Sequence, residues 1–327
     1  MTTTIRGLLL LLLLLLLLLC ASMAPVLAAA PAAQAAEVPM IPGPPQRTPG
    51  AAISYAKQHP HSAPPGTNDF SCRPSAAHPR PVVLVHGSDG SGYANWAGIS
   101  PQLKAAGYCL FALNYGQKPG AEHYGIETMV ASGQELADFV DQVLATTGAD
   151  KVDLVGHSQG ATVARYYVNR LGGAARVHQW TGVASPTYGG NFFGLTTAVS
   201  AFAGGVEAIE ILAGAALAEQ IEGSDFLTAL NAGGDTVPGV RYTTIGTRYD
   251  EVVQPYTNVA LRDPEATNIV VQDLCPIDQT GHFNMPYDPY TQQLIMNTLD
   301  PEHVVVPRCT FVPLGTAIPG VIIASNF

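Results

Sequence analysis

Lys151-Val152-Asp153-Leu154-Val155-Gly156-His157-Ser158-Gln159-Gly160-Ala161 is the stretch on which the fold turns. It starts as an apolar strand ending at Val155. It then passes with no spacer into a helix expected over 161–171, which Gly172-Gly173 closes. Between the two lies a Gly-x-Ser-x-Gly pentapeptide. A strand that feeds a helix through so tight a turn strains the central serine and pushes its hydroxyl out above the sheet. The hydroxyl then sits beside a helix N-terminus, whose dipole favours negative charge. Side chains at Gly156 and Gly160 would collide with neighbouring segments. In a chain with 33 glycines the pentapeptide alone is weak evidence; the strand before it and the helix after it give it weight. An ordinary strand-to-helix turn with a buried serine is the competing interpretation.

Working outward, strands and helices alternate. Pro81-Val-Val-Leu-Val-His86 is an unbroken apolar run, as a strand buried on both faces requires. Gly87-Ser88-Asp89-Gly90 is a turn, and a helix is expected over 96–106, followed by a strand over 108–113. Ile126, Met129, Val130, Leu136, Ala137, Val140, Val143 and Leu144 fall at helical spacing, which predicts an amphipathic helix over 126–147 stopped by Gly148. Further strands are expected over 177–184, 241–245 and 267–272, and a final helix over 288–299. The alternation implies an α/β architecture with a mostly parallel sheet and helices on both faces. With the serine turn it implies the α/β-hydrolase fold.

That fold orders its catalytic groups as serine, acid, histidine. After Ser158 the histidines are His178, His282 and His303. His178 leaves no room for an intervening acid. His303 lies beyond the last expected helix. His282, in a loop after the strand 267–272, is the candidate base. For the acid, Asp250 and Glu251 compete just after the strand 241–245. Asp235 is a loop alternative, and Asp263 and Asp273 suit turns or caps. The acid would orient the imidazole and stabilise its positive form. The oxyanion of acyl transfer needs backbone N–H donors; these are expected from Gln159 and Ser88. His157 is expected to point away and not to act as a base. Gly87–Gly92 lacks the G-K-[ST] of a phosphate loop, and neither a cofactor nor a metal is expected.

Composition narrows the partners. The chain has 327 residues, 47% hydrophobic and 12% charged, with a formal net charge of −10. It is too apolar for a disordered chain and lacks the basic stripe of a nucleic-acid binder. Leu8–Leu19 is an uninterrupted leucine run after Arg6, followed by Ala-rich sequence. This predicts a secretory signal over 1–36, then a Pro/Ala-rich linker and N-terminal arm over 37–70 and the main domain over 71–327. Cys72, Cys109, Cys275 and Cys309 suit two disulfides outside the cell. Of three possible pairings, Cys72–Cys109 and Cys275–Cys309 are favoured because each closes a local loop. No C-x-x-C spacing supports zinc. A cap is expected over 191–235, where apolar residues such as Phe192, Phe193, Phe202 and Ile209 would line an acyl-binding mouth; a core helix is the equal alternative.

Several stretches together resemble the secreted bacterial lipases of the class 2 family: Pro81–Gly87, Trp96, Gly107-Tyr108, Phe111–Gly116, Gly156–Gly160, Thr247–Pro255 and Gly281–Pro286. The resemblance implies Ser158 as nucleophile, His282 as base and Asp250 rather than Glu251 as acid. The 247–255 segment and the cysteine placement are also similar to yeast lipase B, which supports the same pairing. Ser88 departs from the threonine frequent in such lipases, and a further oxyanion bond from its hydroxyl is expected. The expected substrate is a lipid or small ester met at a lipid–water interface by a monomer, with polyester depolymerase or acyltransferase activity as alternatives.

Overall fold

The computed structural model describes residues 36–191 and 214–326. The expected signal segment and the apolar residues 192–213 of the expected cap lie outside them. Gln34–Phe327 forms one compact unit.

A short parallel pair, β1 (Ile41–Pro42) and β2 (Ser62–Ala63), precedes the main sheet. The main sheet comprises β3 (Val82–Val85), β4 (Leu110–Ala112), β5 (Val152–His157), β6 (Val177–Val183), β7 (Arg241–Gly246) and β8 (Thr267–Val270). Its order is β4-β3-β5-β6-β7-β8, and every described pairing is parallel. This is the α/β-hydrolase architecture. Each strand meets its neighbour through a crossover, so side chains on both faces must be covered. β3 shows the result. Val83 and Val85 enter a core with Met129, Leu136, Val140 and Val143, while Val82 and Leu84 enter another with Ile99, Leu103, Leu294 and Ile295.

The helix expected over 96–106 is instead two, Gly92–Trp96 and Ser100–Ala105. The cause is Pro101, which has no N–H to continue a helix and suits the first turn of a new one. The long helix runs Met129–Thr147, three residues later than the periodicity suggested; Thr128 caps it by accepting from the Ala131 N–H at 3.2 Å. The strand expected over 267–272 ends at Val270 and gives way to a helical turn, Val271–Leu274. The helix Pro289–Leu299, capped by Asp288, is not the last, since Ile318–Asn326 follows.

The arm covers the edge of the sheet. Asn68 pairs with edge strand β4 through its side chain, accepting from the Ala112 N–H and donating to the Ala112 carbonyl, both at 2.8 Å. An otherwise open edge is thereby closed. Within the expected linker and arm a helix forms, Pro49–Gln58, with Thr48 as cap and Pro49 in the first turn. This helix packs on Ile318–Asn326, and Lys57 Nζ donates to the Ser325 carbonyl at 2.7 Å. Cys72–Cys109 and Cys275–Cys309 are both bonded.

Candidate active site

The turn between β5 and the helix Gln159–Arg170 is built on backbone contact. Ser158 has φ 53° and ψ −127°, a region that residues with side chains rarely occupy. A methyl group at Gly156 would stand 2.5 Å from Ala161 Cα, and one at Gly160 would stand 2.3 Å from the Val85 and His86 carbonyl oxygens. The two glycines let the helix press against the strand ends, and Ser158 takes the strain. The Ser158 N–H donates to the Val183 carbonyl of β6 at 2.9 Å, which fixes the turn to the sheet.

The chain past β7 brings in a carboxylate, and the loop after β8 brings in an imidazole. Asp250 Oδ1 accepts from the Val252 and Val253 N–H groups at 2.9 and 2.7 Å, so the carboxylate is fixed by its own turn. The loop carrying His282 is tied to that turn, because Thr247 Oγ1 donates to the Thr280 carbonyl at 2.7 Å. His282 Nδ1 lies 3.0 Å from both Asp250 carboxylate oxygens, and Nε2 lies 2.9 Å from Ser158 Oγ. A carboxylate only accepts, so the ring proton sits on Nδ1 and the bare Nε2 accepts from the serine hydroxyl. All three groups are buried.

The two rival carboxylates divide their work. Asp250 meets the His282 ring, while Glu251 Oε2 accepts from the His282 backbone N–H at 2.6 Å. Gly281 makes room for this, since a Cβ there would stand 2.1 Å from Glu251 Oε1. Burial raises the Glu251 carboxyl above its ordinary range, an effect partly offset by backbone hydrogen bonds including that from His282.

On the other side of Ser158, Ser88 and Gln159 are joined directly. The Ser88 hydroxyl donates to Gln159 Oε1 at 2.5 Å, and Gln220 Nε2 donates to Ser88 Oγ at 3.2 Å and Gln159 Oε1 at 3.1 Å. A hydroxyl has one proton, and here the neighbouring carboxamide takes it. Gln159 opens its helix, and the first N–H groups of a helix have no partner within it. Gln220 follows the helix Ala215–Glu219, so the described part of the expected cap segment reaches this turn.

The remaining candidates lie elsewhere. Asp235 accepts from the Tyr188 hydroxyl at 2.6 Å, Asp263 accepts from the Asp235 and Thr236 N–H groups, and Asp273 pairs with Arg248. His303 is exposed beside Asp300, and His178 lies on β6. Among the described residues no group of three or more His, Cys, Asp or Glu side chains is arranged to hold a metal. Sequence reasoning missed Gln220 and Asn95. Asn95 Oδ1 accepts from the Gly87 N–H at 2.6 Å, and its Nδ2 is 3.2 Å from His157 Nδ1. Neither residue belongs to a local motif, and their bonds to His157, Ser88 and Gln159 span 62, 132 and 61 positions.

A family model described as Lipase (class 2) matches residues 79–295. The chain belongs to the class 2 lipase family. Two curated relatives of this lipase-family chain, the triacylglycerol lipases of Pseudarthrobacter phenanthrenivorans and Burkholderia plantarii, are each 38% identical over 96 residues. Those residues are 28% of this chain and 28% and 25% of the relatives, so the match spans about a quarter of their length. Among solved structures, Aspergillus fumigatus lipase B superposes with a TM-score of 0.57 at 16% identity, covering 80% of this chain and 67% of that one. Mature Bacillus licheniformis lipase BlEst2 gives 0.53 at 20% identity, covering 69% and 94%. At such identities the likeness concerns the α/β-hydrolase fold of this class 2 family member.

Proposed function

We propose that this protein is a secreted serine carboxylic-ester hydrolase, a triacylglycerol lipase or esterase that works through Ser158, His282 and Asp250. One observation carries the reading: a strained serine hydroxyl, an imidazole and a carboxylate lie in series at 2.9 and 3.0 Å. Family membership supports it, as do the names of the relatives and the two disulfides, which suit an oxidising compartment.

In the proposed mechanism Ser158 Oγ attacks the ester carbonyl while His282 Nε2 takes the hydroxyl proton. Asp250 holds the ring in its Nδ1–H form and stabilises the imidazolium. The Ser88 and Gln159 backbone N–H groups receive the negative oxygen of the tetrahedral intermediate. That intermediate collapses as the C–O bond breaks and His282 returns its proton to the leaving alcohol. Water, activated by His282, then releases the acid from the acyl-enzyme. We assign residues 1–36 to the secretion signal, and expect a monomer acting on lipid or small esters.

The test combines p-nitrophenyl ester hydrolysis with fluorophosphonate labelling. Ser158→Ala is expected to lose both, with hydrolysis falling by roughly four or more decades. Retained hydrolysis in this variant removes Ser158 from the mechanism.

A further inference from the structure

His157 stands inside the serine turn, fully within the protein and out of contact with the reacting hydroxyl. The mechanism above gives it no task, yet its ring joins two parts of the site that approach Ser158 from opposite sides. Nε2 lies 3.1 Å from the His282 backbone carbonyl, and Nδ1 lies 3.2 Å from Asn95 Nδ2. Asn95 in turn accepts through Oδ1 from the Gly87 N–H at 2.6 Å. Gly87 directly precedes Ser88. The path therefore runs from the oxyanion turn, through Asn95 and His157, to the backbone of His282.

The direction of every bond in this path is forced. The Gly87 N–H can only donate, so the asparagine atom facing it is the oxygen. The other end of the carboxamide is then the NH2, which can only donate, so His157 Nδ1 must accept with a bare lone pair. That leaves the ring proton on Nε2, and it meets the His282 carbonyl, which can only accept. The two ends of the path independently demand the same tautomer. A charged ring would carry a proton on Nδ1 pointing at the asparagine NH2, which the arrangement opposes. Burial and the neighbouring His282 ring, 5.0 Å away between centroids, likewise keep His157 well below the ordinary histidine range. Space at Gly87 is close, since a Cβ there would stand 3.3 Å from both His157 Nδ1 and Ser158 Cβ.

We propose that Asn95 and His157 are positioning residues that tie the oxyanion turn at Gly87 to the backbone of His282, holding the donor side and the base side of the site in register around Ser158. The inference rests on the reading of Ser158 and His282 as nucleophile and base. The pair acts through its partners and touches no reacting atom. Its contribution appears in the step where charge develops, because misplacing the base or the N–H donors by a fraction of an ångström weakens transition-state contacts more than ground-state binding.

His157→Gln offers a conservative rescue, since its carboxamide oxygen can accept from Asn95 while its NH2 donates to the His282 carbonyl. His157→Leu fills the space without either bond. In p-nitrophenyl ester hydrolysis, His157→Leu and Asn95→Ala are expected to lower kcat about tenfold with KM within roughly twofold, and His157→Gln to stay within about threefold of the parent. A merely structural ring would give no such advantage to glutamine over leucine in a buried position. Independently of any variant or activity, nitrogen-15 spectra of the intact protein at pH 7 are expected to show His157 protonated at Nε2 and bare at Nδ1. Equal kcat for the leucine and glutamine variants, or a proton on Nδ1, overturns the proposal. Failure of fluorophosphonate to label the parent protein would instead count against the hydrolase reading and leave the tautomer measurement standing.

Discussion

The carbonyl oxygen of His86 occupies the space where a side chain at Gly160 would begin, 2.3 Å from an ideal Cβ. Backbone of a buried strand end cannot move aside as a flexible side chain would. Gly160→Ala is therefore expected to cost about 3 kcal/mol or more and to lower Tm by at least ~6 °C. Ester hydrolysis should fall with it, because Ser158 is carried by the displaced turn. Thermal unfolding of the variant checks this, and an unchanged Tm would show that the close approach is absent.

Asp250 and Glu251 should differ in what their removal does. Asp250→Asn replaces an acceptor facing His282 Nδ1 with a group that can favour the wrong tautomer, and kcat is expected to fall by roughly 10³–10⁴. Glu251→Gln keeps an oxygen that can accept from the His282 N–H, so a loss of about tenfold or less is expected, the charge-assisted part of that bond being worth about 1 kcal/mol. Steady-state kinetics of the two variants decide the matter. A greater loss for Glu251→Gln would exchange the roles.

Gln220 is the described link between the expected cap and the oxyanion turn. Gln220→Leu removes both donations, to Ser88 Oγ and to Gln159 Oε1. At about 1 kcal/mol for each bond, a five- to thirty-fold fall in kcat/KM is expected. A kcat/KM equal to the parent's on both short and long p-nitrophenyl esters would mean that the link does not bear on the site.

Stability should depend on pH in a defined direction. Burial lowers His86 to about 4 from 6.5 and holds His157 well below that value. The unfolded chain therefore binds protons first as the pH falls through about 6.5. The stability from these neutral rings is complete above that point and is lost toward pH 4. Glu135 runs the other way. Burial raises it to about 7, so its contribution is complete below 4.5 and is lost as the pH rises through 7. Tm measured from pH 4 to 9 should trace a dome. Glu135→Gln should flatten its alkaline side and His157→Gln its acid side; a profile flat down to pH 4.5 contradicts the neutral rings.

The sequence was most legible where local chemistry and distant packing agree. Gly156 and Gly160 bracket Ser158 because only glycine fits there, and that constraint is written into five adjacent residues. The apolar runs of β3 and β5 were equally plain, since a doubly covered strand has no polar face. Pro101 could have divided the helix expected over 96–106, being a breaker visible in the sequence. Asn95, His157 and Gln220 were not legible in their roles. Each acts through hydrogen bonds that reach a partner 61 or more residues away, and no periodicity or spacing rule encodes bonds of that kind. Glu251 was noticed only as a rival to Asp250, because sequence adjacency cannot say which carboxylate meets a ring and which meets a backbone.

The contact between the helix Pro49–Gln58 and the helix Ile318–Asn326 joins an early part of the chain to a late one, with 268 positions between Lys57 and Ser325. During translation at ~5–20 residues per second, the earlier helix must wait on the order of ten seconds to a minute for its cover. Its assembly therefore comes after the sheet strands have been made, and a nascent chain stalled before residue 318 leaves the earlier helix without its partner.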